Sequence, residues 1–246
     1  MESNPVTHQV QLSSNWPMRW LPLAWFSLAF IALVLGVLAA LIRDDPMAWL
    51  MECMRVSSPG TVGIILHEIG MLFAVAILLL GLRSQGNPFR LLGLHGRLSW
   101  QMVNYAVLSA IVVFLVWPVL QLGIEALGIP FQWWREGLTL KTTNDWVWMI
   151  IAAGFLSPIL EEVLFRGYLL NALLTHLPNR TIAILLATAI FTSIHVLFGP
   201  GTLILIFFWT FVPTWLVLRF KSLYPAILMH ILNNLLAYIV VPLMGW

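Results

Sequence analysis

Apolar residues do not alternate with polar ones along this chain. They come in unbroken runs near 20–42, 62–82, 102–123, 146–175, 181–198, 202–218 and 224–243, and most charged residues fall in the short stretches between them. Most runs approach the ~20 residues an α-helix needs to cross a hydrocarbon layer of ~30 Å. Continuous Leu, Ile, Ala and Phe do not read as the roughly 10-residue alternating strands of an outer-membrane barrel, and only helices and closed barrels satisfy every backbone polar group in lipid. The pattern therefore predicts an all-α chain, a polytopic transmembrane helix bundle of about seven spans. The first run is longer than the roughly 7–15 apolar residues of a signal peptide. It is followed by Arg43-Asp44-Asp45 in place of a small-residue cleavage site, and is read as a retained span.

Composition agrees with a lipid solvent. The chain is 61% hydrophobic and 9% charged, against roughly 45–50% and 25% for soluble domains. A net charge of +2, with Lys and Arg dispersed, implies no nucleic-acid partner. The single cysteine, Cys53, excludes an intramolecular disulfide and has no zinc-type Cys/His pattern around it. Lys and Arg accumulate on the cytoplasmic side of a membrane. With the N-terminus inside, that side holds Arg19, Arg83, Arg90, Arg97, Arg180, Arg219 and Lys221, and the other holds Arg43, Arg55, Arg135 and Lys141. This predicts an integral membrane protein with a cytoplasmic N-terminus, and the short loops and small size fit a prokaryotic inner membrane.

The polar residues inside the spans carry the chemistry, because an ionisable group there costs about 2.5–3.5 kcal/mol on insertion scales and tends to face a cavity or a partner. Glu162 and Arg166 are four apart and share a helix face, so they can pair, while Glu161 is displaced by about 100°. Pro158 is expected to kink this helix and free backbone carbonyls that need a polar partner. A tight turn at Leu177-Pro178-Asn179 makes the next span antiparallel and brings His195, in the fifth span, to the depth of Glu162. His230 and Asn234 again share a face and project into the bundle. Singly, each has a packing explanation, since His and Asn in membrane helices often bond a neighbouring helix. Together they supply a carboxylate and an imidazole able to bind and deprotonate water, with donors able to stabilise an oxyanion. Glu161, His195 and His230 are also types that suit zinc, and helix spacing leaves both possibilities open. His67-Glu68 opens like an HExxH zinc-protease motif, but residue 71 is Met. That pair is expected to make a polar contact with the other spans or to serve in substrate gating.

Three segments resemble a known family. Glu161-Glu162-Val163-Leu164-Phe165-Arg166 matches EExxxR, Phe191-Thr192-Ser193-Ile194-His195 matches FxxxH, and His230-Ile231-Leu232-Asn233-Asn234 matches HxxxN. These are the motifs of the CPBP family of CAAX-endopeptidase and Abi-type intramembrane proteases. The resemblance implies a catalytic helical core over 145–246 and leaves the spans within 1–144 without an assigned role. It implies a glutamate-dependent endopeptidase in which Glu161 and His195 activate water, Glu162 and Arg166 support that carboxylate, and His230 and Asn234 form the oxyanion side. No cofactor is needed by this scheme; a zinc held by Glu161, His195 and His230 is the alternative. Phe191 would pack beside the imidazole of His195. The substrate implied is a membrane-associated, lipid-anchored or exported protein or peptide, met within the bilayer. Two other functions use the same residues: a membrane binding or bacteriocin-immunity protein without cleavage, and a proton-coupled transporter.

Overall fold

The structure, a computed structural model, describes residues 44–131 and 140–240. The predicted span at 20–42 lies outside the described residues. Every regular element described is a helix. A short amphipathic segment, α1 (Pro46–Met54), precedes α2 (Pro59–Leu82) and α3 (Trp100–Ala126). Next come α4 (Thr143–His176), α5 (Arg180–Ser193), α6 (Val196–Phe220) and α7, which runs Tyr224–Leu235 and continues as a π turn over Leu236–Val240. Four of these, α2 with its short extension to Gln85, α3, α4 and α6, are long and apolar enough to cross a membrane; α5 and α7 are shorter apolar helices.

Helix starts follow local capping chemistry. Ser58 and Ser99 each place a side-chain oxygen on an amide of the first turn, at Gly60 and Met102. Thr142 and Asp145 form a reciprocal capping box at the start of α4. The same Asp145, fully buried, also accepts from the backbone and hydroxyl of Ser57 at 3.0 and 2.6 Å and from Thr61 Oγ1 at 3.3 Å. One carboxylate thus ties the start of α2 to the start of α4. The two helices run side by side in the same direction, as alternate crossing of a bilayer requires.

α4 is the axis of the bundle. Every residue from Glu162 to Leu170 is buried; this stretch packs on α5, while the segments of α4 before it, 149–161, pack on α2 and α7. It is not a uniform helix: π segments at Met149–Leu156 and Glu162–Leu170 flank a short α segment, Ser157–Glu161, that begins with Pro158 near its N-terminus. Such widened turns commonly mark functional positions. α7 closes against this region so tightly that a Cβ on Gly154 would lie 2.7 Å from Leu235 Cδ2.

One expectation is corrected. The fifth span was expected to run through His195, but α5 ends at Ser193 and His195 sits in the turn leading to a 3-10 segment, Val196–Phe198. Gly199 then has φ 79° and Pro200 follows; a left-handed residue before a proline cannot continue an α-helix. The α-helical part of α6 re-enters the bundle from that point.

Candidate active site

The site is built around one oxygen. Glu162 Oε1 accepts from Arg166 Nη1 at 2.9 Å, the i,i+4 pairing expected of the sequence, and from His230 Nδ1 at 2.9 Å. All three side chains are buried. A buried ion pair is worth little unless its donors and acceptors are matched, and here the second donor comes from a different helix, so the bond also sets the docking of α7 on α4. Because the carboxylate only accepts, Nδ1 is the protonated nitrogen of His230. Its other nitrogen, Nε2, lies 3.8 Å from Glu161 Oε2.

Glu161 is buried as well, at 6% exposure. Its Oε1 accepts from the hydroxyl of Ser157, one turn earlier, at 2.7 Å. Oε2 is therefore the oxygen turned toward His230. His195, half-buried, lies within electrostatic reach of Glu161. Its Nδ1 is 2.9 Å from the carbonyl oxygen of Phe191. A carbonyl can only accept, so Nδ1 carries the hydrogen and Nε2 of the neutral ring carries a lone pair.

Asn234 has a backbone role that follows from Pro158. In the π segment, Ser157 N–H bonds the carbonyl of Ala152, five residues back. The next such bond would join residue 158 to Ala153, and proline has no N–H to give. Asn234 Nδ2 donates to Ala153 O at 2.8 Å instead. The freed carbonyl anticipated from Pro158 thus finds its partner in the HxxxN motif, and one of the two amide hydrogens is used there.

An aromatic wall surrounds the charges. Phe191 stacks beside His195 with ring centroids 4.8 Å apart, meets Phe165 edge-on at 4.8 Å, and has the Arg166 guanidinium 4.3 Å above its centroid. Trp209 on α6 packs edge-to-face on His230 at 4.6 Å and donates Nε1–H to Asn233 Oδ1 at 3.3 Å. Asn233 Nδ2 in turn donates to Ala110 O on α3. Neither Trp209 nor Ser157 was singled out from the sequence. Ser157 stands one turn before Glu161, a spacing that could have exposed it. Trp209 is one of 13 tryptophans, and nothing local distinguishes it.

The six motif residues Glu161, Glu162, Arg166, His195, His230 and Asn234 are thus gathered around the π-bounded middle of α4. A zinc shell would need Glu161, His195 and His230 within about 2.0–2.2 Å of one point. Among the described residues no group of three or more His, Cys, Asp or Glu is arranged to hold a metal.

Residues 143–236 match the family described as type II CAAX prenyl endopeptidase Rce1-like. Over this core the chain is similar to the CAAX-protease family. The match begins at the first turn of α4 and ends at the start of the last π turn, so the Rce1-like core contains all three motifs. No curated protein and no solved structure matches the chain. The match and the four long apolar helices support an integral membrane protein related to the CAAX-type intramembrane endopeptidases.

Proposed function

We propose that this chain cleaves a peptide bond of a membrane-associated, lipid-anchored or exported protein or peptide, by a metal-free mechanism in which Glu161 and His195 activate the attacking water. The observation that carries this reading is the division of labour between two adjacent carboxylates. Glu162 has its Oε1 committed to Arg166 and His230. Glu161 is steadied through Oε1 by Ser157 and turns Oε2 toward the imidazole of His230. One acid holds the site together and the other is available to take a proton.

His195 supports the same reading, since Nδ1 is anchored to a carbonyl and Nε2 is left as an acceptor. His230, fixed by Glu162, presents Nε2 on the other side of Glu161; doubly protonated, it donates there to a developing oxyanion. Asn234 offers its second amide hydrogen to the same side. The residues after His195, Val196 and Leu197, are 63% and 87% exposed, which suits a substrate arriving with apolar groups from the lipid. The N-terminus is cytoplasmic in this reading, and the host membrane a prokaryotic inner membrane.

The test is cleavage of a membrane-peptide library by the purified, reconstituted protein beside Glu161→Gln and His195→Ala, with and without a strong chelator. Loss of about 10²–10⁴ in rate in either variant, with wild-type cleavage intact in chelator, is the expected result. Cleavage that survives both substitutions would return these charges to a structural or transport role, and inhibition by chelator reversed by one added metal would establish the zinc scheme.

A further inference from the structure

The loop that joins α2 to α3 lies outside the residues 143–236 that match the family, and the mechanism above does not use it. It nevertheless touches the matched core. A short helix, Pro88–Leu91, is closed by Leu92 N–H on Pro88 O at 2.9 Å, Gly93 N–H on Arg90 O at 3.2 Å and Leu94 N–H on Phe89 O at 2.8 Å. Gly93 has φ 80°, the left-handed conformation that ends helices and that glycine adopts without steric cost. Its carbonyl then accepts from the N–H of Leu223 at 3.0 Å. Leu223 is the N-cap of α7, where a backbone N–H has no partner inside its own helix. Side chains make the same junction. Leu92 and Leu223 are fully buried, and a Cβ on Gly167 of α4 would lie 3.0 Å from Leu92 O and 3.0 Å from Leu223 Cδ1. Any larger residue there would push one of them aside.

α4 and α7 therefore meet at three levels, in antiparallel order. Gly167 stands against Leu223, Glu162 against His230, and Ala153 and Gly154 against Asn234 and Leu235. The first of these levels also contains Leu92 and Gly93. Leu223 and His230 are seven residues apart, about two turns, so they share a face of α7. Sliding or turning α7 at Leu223 would draw His230 Nδ1 off Glu162 Oε1 and change the 3.8 Å between Nε2 and Glu161.

We infer that Leu92 and Gly93 are positioning residues for the site: the carbonyl bond to Leu223 and the packing on Gly167 fix the axial position of α7, and through it His230. The effect on catalysis rests on the reading of His230 as the donor beside Glu161. The loop between α2 and α3 thereby gains a role in the chemistry that the matched core carries.

The experiment compares two replacements of Gly93 in the full-length reconstituted protein. Gly93→Val is disfavoured at φ 80° and opens the turn. Gly93→Asn tolerates that conformation, and a Cβ there meets Leu223 at 3.6 Å, an ordinary contact. The first readout needs no substrate: the Nδ1–H proton of His230, bonded to Glu162, is followed by NMR and assigned by its loss in His230→Gln. It is expected to shift and to exchange faster in Gly93→Val, and to keep its wild-type position in Gly93→Asn. In cleavage, Gly93→Val is expected to lower kcat by up to about 10²-fold, the scale of a misplacement of about 1 Å, with KM unchanged, while Gly93→Asn stays near wild type. Asn179→Ala, which removes the cap at the start of α5, leaves both readouts unchanged. If Gly93→Val does not fold, Gly167→Ala takes its place, since its Cβ must displace Leu92 O or Leu223 Cδ1. An unchanged His230 signal in the turn-opening variant, or an equal change in Asn179→Ala, would overturn the positioning role. A shifted signal with wild-type kcat would uphold it and remove His230 from the proposed mechanism. If the wild-type protein cleaves nothing, the protease reading fails separately and the His230 signal alone decides whether the loop positions α7.

Discussion

Two long apolar helices behave in opposite ways. α3 has a mean hydropathy of 2.4 in its most apolar window and is 11% buried there, whereas α4 has 1.7 and is 56% buried. In water the more apolar helix would be the inner one. Here the outer helix is the more apolar, because lipid is as good a solvent for Leu as another helix is. Only Ala106, Ala110 and Ile124 of α3 are buried, while Leu115, Val119 and Leu122 are exposed. What sends α4 inside is the need of Glu161, Glu162, Arg166 and Ser157 for one another and for His230. In this bundle the polar groups mark the interior.

The sharpest way to break that contrast is Arg166→Ala, which leaves Glu162 as a buried charge with one partner fewer. Loss of one member of a buried pair costs about 3–5 kcal/mol, so this variant is expected to unfold far earlier in a denaturing-detergent titration, and Glu162→Gln added to it should recover part of the loss. Next in size is Asn234→Ala. The Ala153 carbonyl then has neither Pro158 nor an amide to bond, at about 1–3 kcal/mol, whereas Asn234→Gln or an unchanged unfolding midpoint would test whether that bond matters. Trp209→Phe keeps a ring against His230 and removes the hydrogen bond to Asn233; a drop of about 0.5–1.5 kcal/mol is expected from the same titration. The smallest effect belongs to α3: Leu115→Ala, 64% exposed, should stay within about 0.5 kcal/mol of wild type. A larger penalty would show that this face is covered by protein and would remove the basis of the comparison.

Much of the site could be read along the chain because its groups sit at helical spacing. Glu162 and Arg166 pair across one turn, as do Phe191 and His195, through both ring contact and the carbonyl bond. The turn before Arg180 folds α5 back on α4, as its Pro and Asn foretell. Contacts between distant segments were not legible. His230 binds Glu162 across 68 residues and Asn234 binds Ala153 across 81, and spacing within one helix cannot show which acceptor on another a side chain meets. The same holds for the packing of α2 on the segment of α4 that carries Ser157 and Glu161.

The sequence by itself determined that the chain is a helical membrane protein, that its ionisable groups must converge, and which three motifs would do so, because lipid penalises every unpaired charge and backbone group. Only the tertiary structure decided that His230 is the second partner of Glu162, that Asn234 repairs the backbone at Pro158, and that α2 packs against the segment of α4 carrying Glu161. Those outcomes depend on helix rotation and axial offset, which are set by packing between helices and leave no periodic trace in any one of them.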